Sequence, residues 1–381
     1  MSRREQTSRQ ASRAGFLRYI IREYYRQRPL EEPSNLHKRE IALESLEDGV
    51  YIRHLAFPFM DQLYDYILNV KTPLHLYYSS ALYSNPSAQL MEEKMWEGSE
   101  LLFDIDADKY PECTSKLYIC GNEISAENTG MCSDGSKPIE YVNVSWTCIM
   151  RAWRDVLTLV DILRDELGFS DIRVFFSGNR GFHVKVSDES ALVLTREERR
   201  HIASYIACED LNLDRIFPSI RGVAIFNTAE RGLRRRVLEE AVKRGVAVFK
   251  ERAYGLRDVY LVRREDLEDI LREECINIDK AVTMDTSRLS RFNYSLNMKA
   301  GLRVTDLGLN KNVEDMSYED FSPFTGAVKI KPTVTGSLDV LDRRIDLVRD
   351  KVIKVEAYLG VYLVVKNIAI PVDTSDLGVK K

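Results

Sequence analysis

Two segments hold the residue types that could do chemistry. LLFDIDADKY spans residues 101–110, and FFSGNRGFHVKV follows at 175–186. In the first, Asp104 and Asp106 are two apart after an apolar run. On a strand, residues i and i+2 point to one face. Two acids on one face repel and lose hydration when buried, so such a pair calls for a cation. The second segment reads as strand, turn, strand, with Ser177-Gly178-Asn179-Arg180-Gly181 as the turn and His183 just beyond it. Hydroxyl, guanidinium and glycine-freed backbone are parts that hold phosphate oxygens. Metal-binding acids and a phosphate-binding turn together point to chemistry on a nucleotide.

A third segment, INIDKAVTMDTSRLSRFNYSLNMKAGL (276–302), adds Asp279 at the end of a short apolar strand. Arg288, Arg291 and Lys299 follow it. A solvated charged loop is the plainer reading. The sharper one is a third acid joining the pair to hold two metals, with cations for a triphosphate. Asp108 reads as a turn acid where the strand ends before Pro111. The Arg run at 234–236 reads as a solvated helix face. A lone D-x-D also occurs in glycosyltransferases, but that reading gives the SGNRGFH turn no role.

The elements that must position these groups are legible in outline. Apolar spacing predicts helices over 15–25, 60–70 and 149–167, the last closed by Gly168. Strands are expected at 72–78 and 101–105, and the SGNRGFH turn joins two more. Thr195 and Glu198 form a capping box that opens another helix. Residues 193–275 are charged and read as a mostly helical insertion, and Gly326 to Val365 reads as largely strand.

The chain has 381 residues, 44% hydrophobic and 30% charged, with a net charge of −4. That is the composition of a globular protein with a sizeable core. An acidic balance excludes a global positive field, so any nucleic-acid surface must be a local patch. Apolar runs are too short for a membrane helix. The basic N-terminus has no following apolar region, so it reads as a cytoplasmic arm and not a signal. Four of the six cysteines, Cys113, Cys120, Cys132 and Cys148, fall close together in a Gly/Asn/Ser-rich loop. In a chain without a secretory segment, this favours a metal over disulfides, although no CxxC pair is present. Cys208 and Cys275 read as structural or incidental. Only five glutamines in a charge-rich chain hint at a thermophile.

With these residues in view, the chain resembles the catalytic small subunit of the archaeal–eukaryotic type DNA primase, most closely its archaeal form. YIRHLAF (51–57), PLHLYYSSALY (73–83), MEEKMWEGSELLFDIDAD (91–108), FFSGNRGFHVKV and SPFTG (322–326) match in order. The resemblance implies an α/β (α+β) fold of two modules, one with an RRM-like sheet, around an open cleft. It implies Asp104, Asp106 and Asp279 as catalytic acids holding Mg or Mn. Ser177, Arg180, His183 and Arg291 would hold the nucleotide's triphosphate, and Asn297 stands where relatives have a histidine. One structural Zn would sit in a knuckle on Cys113, Cys120, Cys132 and Cys148, with Asp134 an alternative fourth ligand. Leu82 and the missing first cysteine of the knuckle's CxxC are further departures.

The implied activity is synthesis of short RNA or DNA primers on single-stranded DNA from nucleoside triphosphates, with a primase large subunit as partner. A self-sufficient primase-polymerase, a repair polymerase and a catalytically silent nucleic-acid-binding scaffold are the alternatives. The expected organisation is a basic flexible arm (1–14), a catalytic core (15–112, 141–192 and 276–365), a knuckle-like insertion (113–140), the helical insertion (193–275) and a tail (366–381).

Overall fold

The structure is a computed structural model. It describes residues 3–380 except 121, 122, 129, 134, 210, 310 and 311, with backbone only for 3–11 and 123. Two four-stranded antiparallel sheets frame the centre. The first runs Leu289–Arg291, Pro73–Ser79, Ile41–Ser45, Tyr51–Leu55; the second runs Thr305–Asp306, Ile172–Phe176, Gly181–Val186, Leu101–Asp106. Helices and antiparallel strands thus make an α+β fold.

The acid strand Leu101–Asp106 obeys period two. Leu101, Phe103 and Ile105 are buried in the main core, which leaves Asp104 and Asp106 on the other face, half-buried. Helix Trp146–Asp161 packs behind, burying Ile149, Ala152, Trp153, Val156, Leu159 and Val160. Its amphipathic spacing dictates that face, and the Ser145 side chain caps it by accepting from the Cys148 amide. The expected helix at 60–70 is found as Met60–Asn69, and the Thr195–Glu198 capping box opens Arg196–Ile206.

Four expectations need correcting. The first helix runs Arg3–Arg26, so the N-terminal segment is helical and not a loose arm. Arg13 fastens it: Nε and Nη2 each donate, at 2.8 Å, to the carbonyls of Val364 and Val365. Those carbonyls lie in the last turn of helix Ala357–Val365, where that of Val364 also accepts from the Asn367 amide.

That second helix lies inside the stretch expected to be strand. It is apolar all round and wholly buried but for Val365, so it carries no helical periodicity to read. Gly360 lets it sit tight: a Cβ there would lie 2.0 Å from Val328 Cγ1.

The insertion is not simply helical. Its strands Ser219–Ile220, Val223–Asn227, Leu256–Arg263 and Val248–Ala253 form a sheet backed by helices Gly232–Lys243 and Arg264–Glu274. It has a core of its own built on Phe217, Phe226, Val237, Val262, Leu267 and Ile270.

The cysteines do not form a zinc knuckle. Cys113 pairs with Cys148, Cys120 with Cys132, and Cys208 with Cys275, all as disulfides. No free thiol remains among the described residues, and zinc is bound by thiolates. Asp134 lies outside the described residues. The knuckle segment is instead a three-stranded sheet, Glu123–Ser125, Ser115–Cys120, Ile139–Asn143, closed by the Cys120–Cys132 bond. The clustered spacing argued for a metal, but the side chains meet in pairs and not as a foursome. Among the described residues no helix is long and apolar enough to cross a membrane.

Candidate active site

The two chemical segments are neighbouring strands. Leu101–Asp106 pairs antiparallel with Gly181–Val186, placing Gly181 opposite Asp106 and His183 opposite Asp104. Hairpin partner Ile172–Phe176 brings Ser177 to the same end. The glycines make this close approach workable. A Cβ on Gly181 would meet Asp106 Oδ1 at 2.3 Å and Ile105 O at 2.5 Å. Gly178 has φ +73°, and a Cβ there would meet Asn297 Cβ at 2.9 Å.

Between the two sheets lies a cavity of about 260 Å³. Asp104, Asp106, Ser177, Arg180, His183, Arg288, Arg291, Asn297 and Lys299 all line it, beside Tyr77. Most of the expected constellation therefore converges. A second cavity, of about 330 Å³, holds Asp279 with Asp104 and Asp106. The Asp279 amide donates to the Asp104 carbonyl at 3.0 Å. Its exposed carboxylate, however, caps its own short helix, accepting from the Ala281 amide at 3.0 Å and the Val282 amide at 3.4 Å. Among the described residues no three side chains are gathered as a ready metal cage.

The electrostatics are those of acids whose burial and mutual repulsion outweigh the nearby cations. Burial, then Asp106 and Asp279, push Asp104 up to about 7. Asp104 Oδ1 is buried without a hydrogen-bond partner. Asp106 is also raised, by burial and then by Asp108. His183 Nε2 lies 3.7 Å from Asp104 Oδ1, yet burial and the nearby Arg291, Lys185 and Arg288 hold its imidazole down to about 3. It is therefore neutral and supplies no charge. These features fit a divalent cation: hard oxygen donors, an orphaned buried oxygen and mutual repulsion that a cation would relieve.

His75 escaped the sequence reading, as did the contacts that Asp108, Arg291 and Asn297 make. Asp108 binds Arg180, Oδ2 to Nη2 2.8 Å, while the Ala107 amide donates to the Arg180 carbonyl at 2.9 Å. Asp108 is thus the anchor of a cleft cation and not a spare turn acid. Its parity with Asp104 and Asp106 was the available signal. His75, buried and held down to about 3 by burial and by Arg291 and Lys299, stays neutral. Its Nδ1 accepts from Arg291 Nη1 at 3.1 Å, and Arg291 lies over the Tyr77 ring at 5.2 Å. Asn297 is only 1% exposed. Its Nδ2 donates to the Ser177 carbonyl at 2.9 Å and its Oδ1 accepts from the Lys299 amide at 3.1 Å. It clamps the turn that carries Ser177 to the loop that carries Lys299.

A cleft that sets paired carboxylates against four cations, between two sheets, belongs to the class of nucleotidyltransferases. The family model described as DNA primase small subunit matches residues 139–309. The chain is similar to the DNA primase small subunit PriS of Staphylothermus marinus, 43% identical over all of both chains. It is similar to that of Saccharolobus islandicus at 36%, covering 93% of this chain and 94% of the relative. A solved polymerase domain of Mycobacterium tuberculosis ligase D in complex with DNA overlays 82% of this chain and 85% of its own, at 11% identity and TM-score 0.36. The chain belongs to the DNA primase small subunit family, and its function is that of a primase catalytic subunit.

Proposed function

We propose that this cleft makes primers on single-stranded DNA, with Asp104, Asp106 and Asp279 holding the Mg or Mn ions and the facing cations holding the incoming triphosphate. The single observation that supports it best is the partnerless Asp104 Oδ1 on a strand that faces Arg180, Arg288, Arg291 and Lys299 across one cavity. When bound, the metal ions supply charge neutralisation at the α-phosphate and lower the pKa of the attacking hydroxyl. Everything else is positioning by the chain.

Arg180 and Arg291 are each held on one side, by Asp108 and His75, so their remaining donors are pre-aimed at phosphate oxygens. Neutral His183 offers one N–H without bringing a charge that would compete for the acids. In the reaction the primer's 3′ oxygen bonds to the α-phosphorus as the bond to the β-phosphate oxygen breaks. The electron pair leaves with pyrophosphate, and the hydroxyl proton passes to water. The cations then stabilise charge building on the leaving group. A primase large subunit, implied by the family, would supply template contacts that a chain of net charge −4 lacks.

The test is incorporation of labelled ATP on poly(dT), with Mg or Mn and with a chelator, in the native chain and in Asp104→Ala. Metal-dependent products of primer length from the native chain alone are expected. Equal product from Asp104→Ala would refute the assignment.

A further inference from the structure

One ammonium joins the two sheets. Lys185 stands on strand Gly181–Val186, two residues beyond His183 and so on the same face. Its Nζ reaches the first sheet, donating to the Tyr78 hydroxyl at 2.7 Å and to the Arg291 carbonyl at 3.4 Å. It also donates to Asn293 Oδ1 at 2.7 Å. An ammonium has three N–H donors, and each has an oxygen here. These contacts begin where the strand ladder gives out. Arg291 is the last residue of its strand, paired with Tyr77. Asn293, just beyond, is tied to the second sheet twice. Its Nδ2 donates to Glu31 Oε2 at 3.0 Å, and that oxygen accepts from Arg173 Nη2, on strand Ile172–Phe176, at 2.9 Å. The segment carrying Arg291 is thereby fixed to the strand that pairs with the one bearing Asp104.

For stability alone this is a costly arrangement. Lys185 is 4% exposed and pairs with no carboxylate among the described residues. Its charge lies over the rings of Tyr78 and Phe175, at 4.5 and 4.6 Å. Burial pulls its pKa well below the usual lysine value, with Arg39 and Arg173 assisting against Glu100 and Glu31. A methionine of similar length would fill the space without that penalty. What only the ammonium supplies is the fixed placement of three oxygens, one of them the Arg291 carbonyl. The Arg291 side chain is held separately, by His75 and Tyr77. Its backbone depends on Lys185, and small misplacements of a substrate-holding group cost rate or affinity steeply.

We propose that Lys185 is a positioning residue for nucleotidyl transfer, joining the two sheets so that Arg291 is held at its working distance from Asp104. The proposal rests on the reading of Arg291 as a ligand of the triphosphate.

The experiment measures extension of an RNA primer on a DNA template, with ATP, in the full chain. The variants are Lys185→Met, Tyr78→Phe, Arg291→Ala, and each of the first two combined with Arg291→Ala. Lys185→Met is expected to raise KM for ATP about tenfold, with KM for the primer–template and the rate at saturating ATP within about threefold. Tyr78→Phe removes one of the three acceptors and should raise KM for ATP about fourfold. On the Arg291→Ala background each should change KM for ATP by less than about twofold, because the group being positioned is gone. A loss of equal size with and without Arg291 overturns the proposal, as does an unchanged KM for ATP in Lys185→Met. If Lys185→Met does not fold, the cycle built on Tyr78→Phe decides by the same criterion. If Arg291→Ala itself leaves KM for ATP unchanged, the reading of Arg291 falls and the proposal falls with it, whereas the other contrary results overturn the proposal alone.

Discussion

His183 stands directly opposite Asp104 across an antiparallel strand pair, its Nε2 3.7 Å from the carboxylate. Two motifs far apart in the chain are thereby one surface. Because the imidazole is neutral, the acid gains no stabilising ion pair from it. The cost of keeping Asp104 and Asp106 side by side falls on the fold.

Asp104→Asn is therefore expected to stabilise the metal-free protein at pH 8. Asp104 is raised from its usual value to about 7. The folded state thus binds the extra proton between about pH 4 and 7, and stability falls as pH rises through that window. Above it the full penalty is present, on the order of 1–3 kcal/mol after allowance for partial exposure. Thermal melts in chelator from pH 4 to 8 check this. The gain from Asn should shrink toward pH 4 and reverse in sign with saturating Mn. An acid-independent difference would contradict it.

Gly181→Ala is expected to abolish activity and to lower stability, because part of the clash is with backbone. Its Cβ would lie 2.3 Å from Asp106 Oδ1 and 2.5 Å from the Ile105 carbonyl, so the acid must swing away and the strands part. The fold change in kcat should exceed a hundredfold, and Tm should drop well beyond that of the Gly49 control, since the strand pair itself must shift. Gly49, a positive-φ glycine with nothing within 4 Å of a Cβ, serves as a control, since Gly49→Ala carries only the backbone penalty.

Asp108→Asn tests whether Arg180 is held for the triphosphate. Removing the charge leaves Arg180 loosely placed, so KM for nucleotide should rise about three- to tenfold. Asp108→Glu should restore part of the loss, which a purely structural defect would not allow. If KM is unchanged in Asp108→Asn, the 2.8 Å contact is incidental to binding.

The cysteine assignment is directly measurable. Protein purified without reductant and then denatured should show no reactive thiols and six after reduction, and metal analysis should find no tightly held zinc. The three loops closed span 12, 35 and 67 residues. Each bond is worth roughly 2–4 kcal/mol in the chain-entropy view. Reductant should lower Tm substantially. Four thiols protected by one equivalent of zinc would restore the knuckle.

What the sequence disclosed, and what it hid, follows from periodicity. Helix Trp146–Asp161 buries one face, and the acid strand breaks its apolar run only at Asp104 and Asp106, so their patterns were readable; the phosphate turn was marked by its glycines between two buried apolar strands. Helix Ala357–Val365 buries nearly every side chain and shows no pattern. Strand Val248–Ala253 does the reverse. It is exposed for nearly all its length, with Lys250, Glu251 and Arg252 in a row, so no alternation marks it. The site was legible by residue type but not by connection. Nothing in the string tells that Asn297 spends its amide on Ser177 and Lys299, or that His75 lies beneath Arg291. The cysteine pairing was hidden because it depends on which side chains the fold brings together, and spacing along the chain does not fix connectivity.

The central claim is that Asp104 and Asp106 carry out nucleotidyl transfer from a site whose nucleotide side does not depend on them for its shape. The most direct measurement is single-turnover extension of a preformed primer–template by Asp106→Ala and Asp104→Ala, alongside their melting curves. The account expects the transfer rate to fall at least a thousandfold in each, with Tm equal to or above that of the native chain in chelator. Extension at a near-native rate by either variant would contradict it.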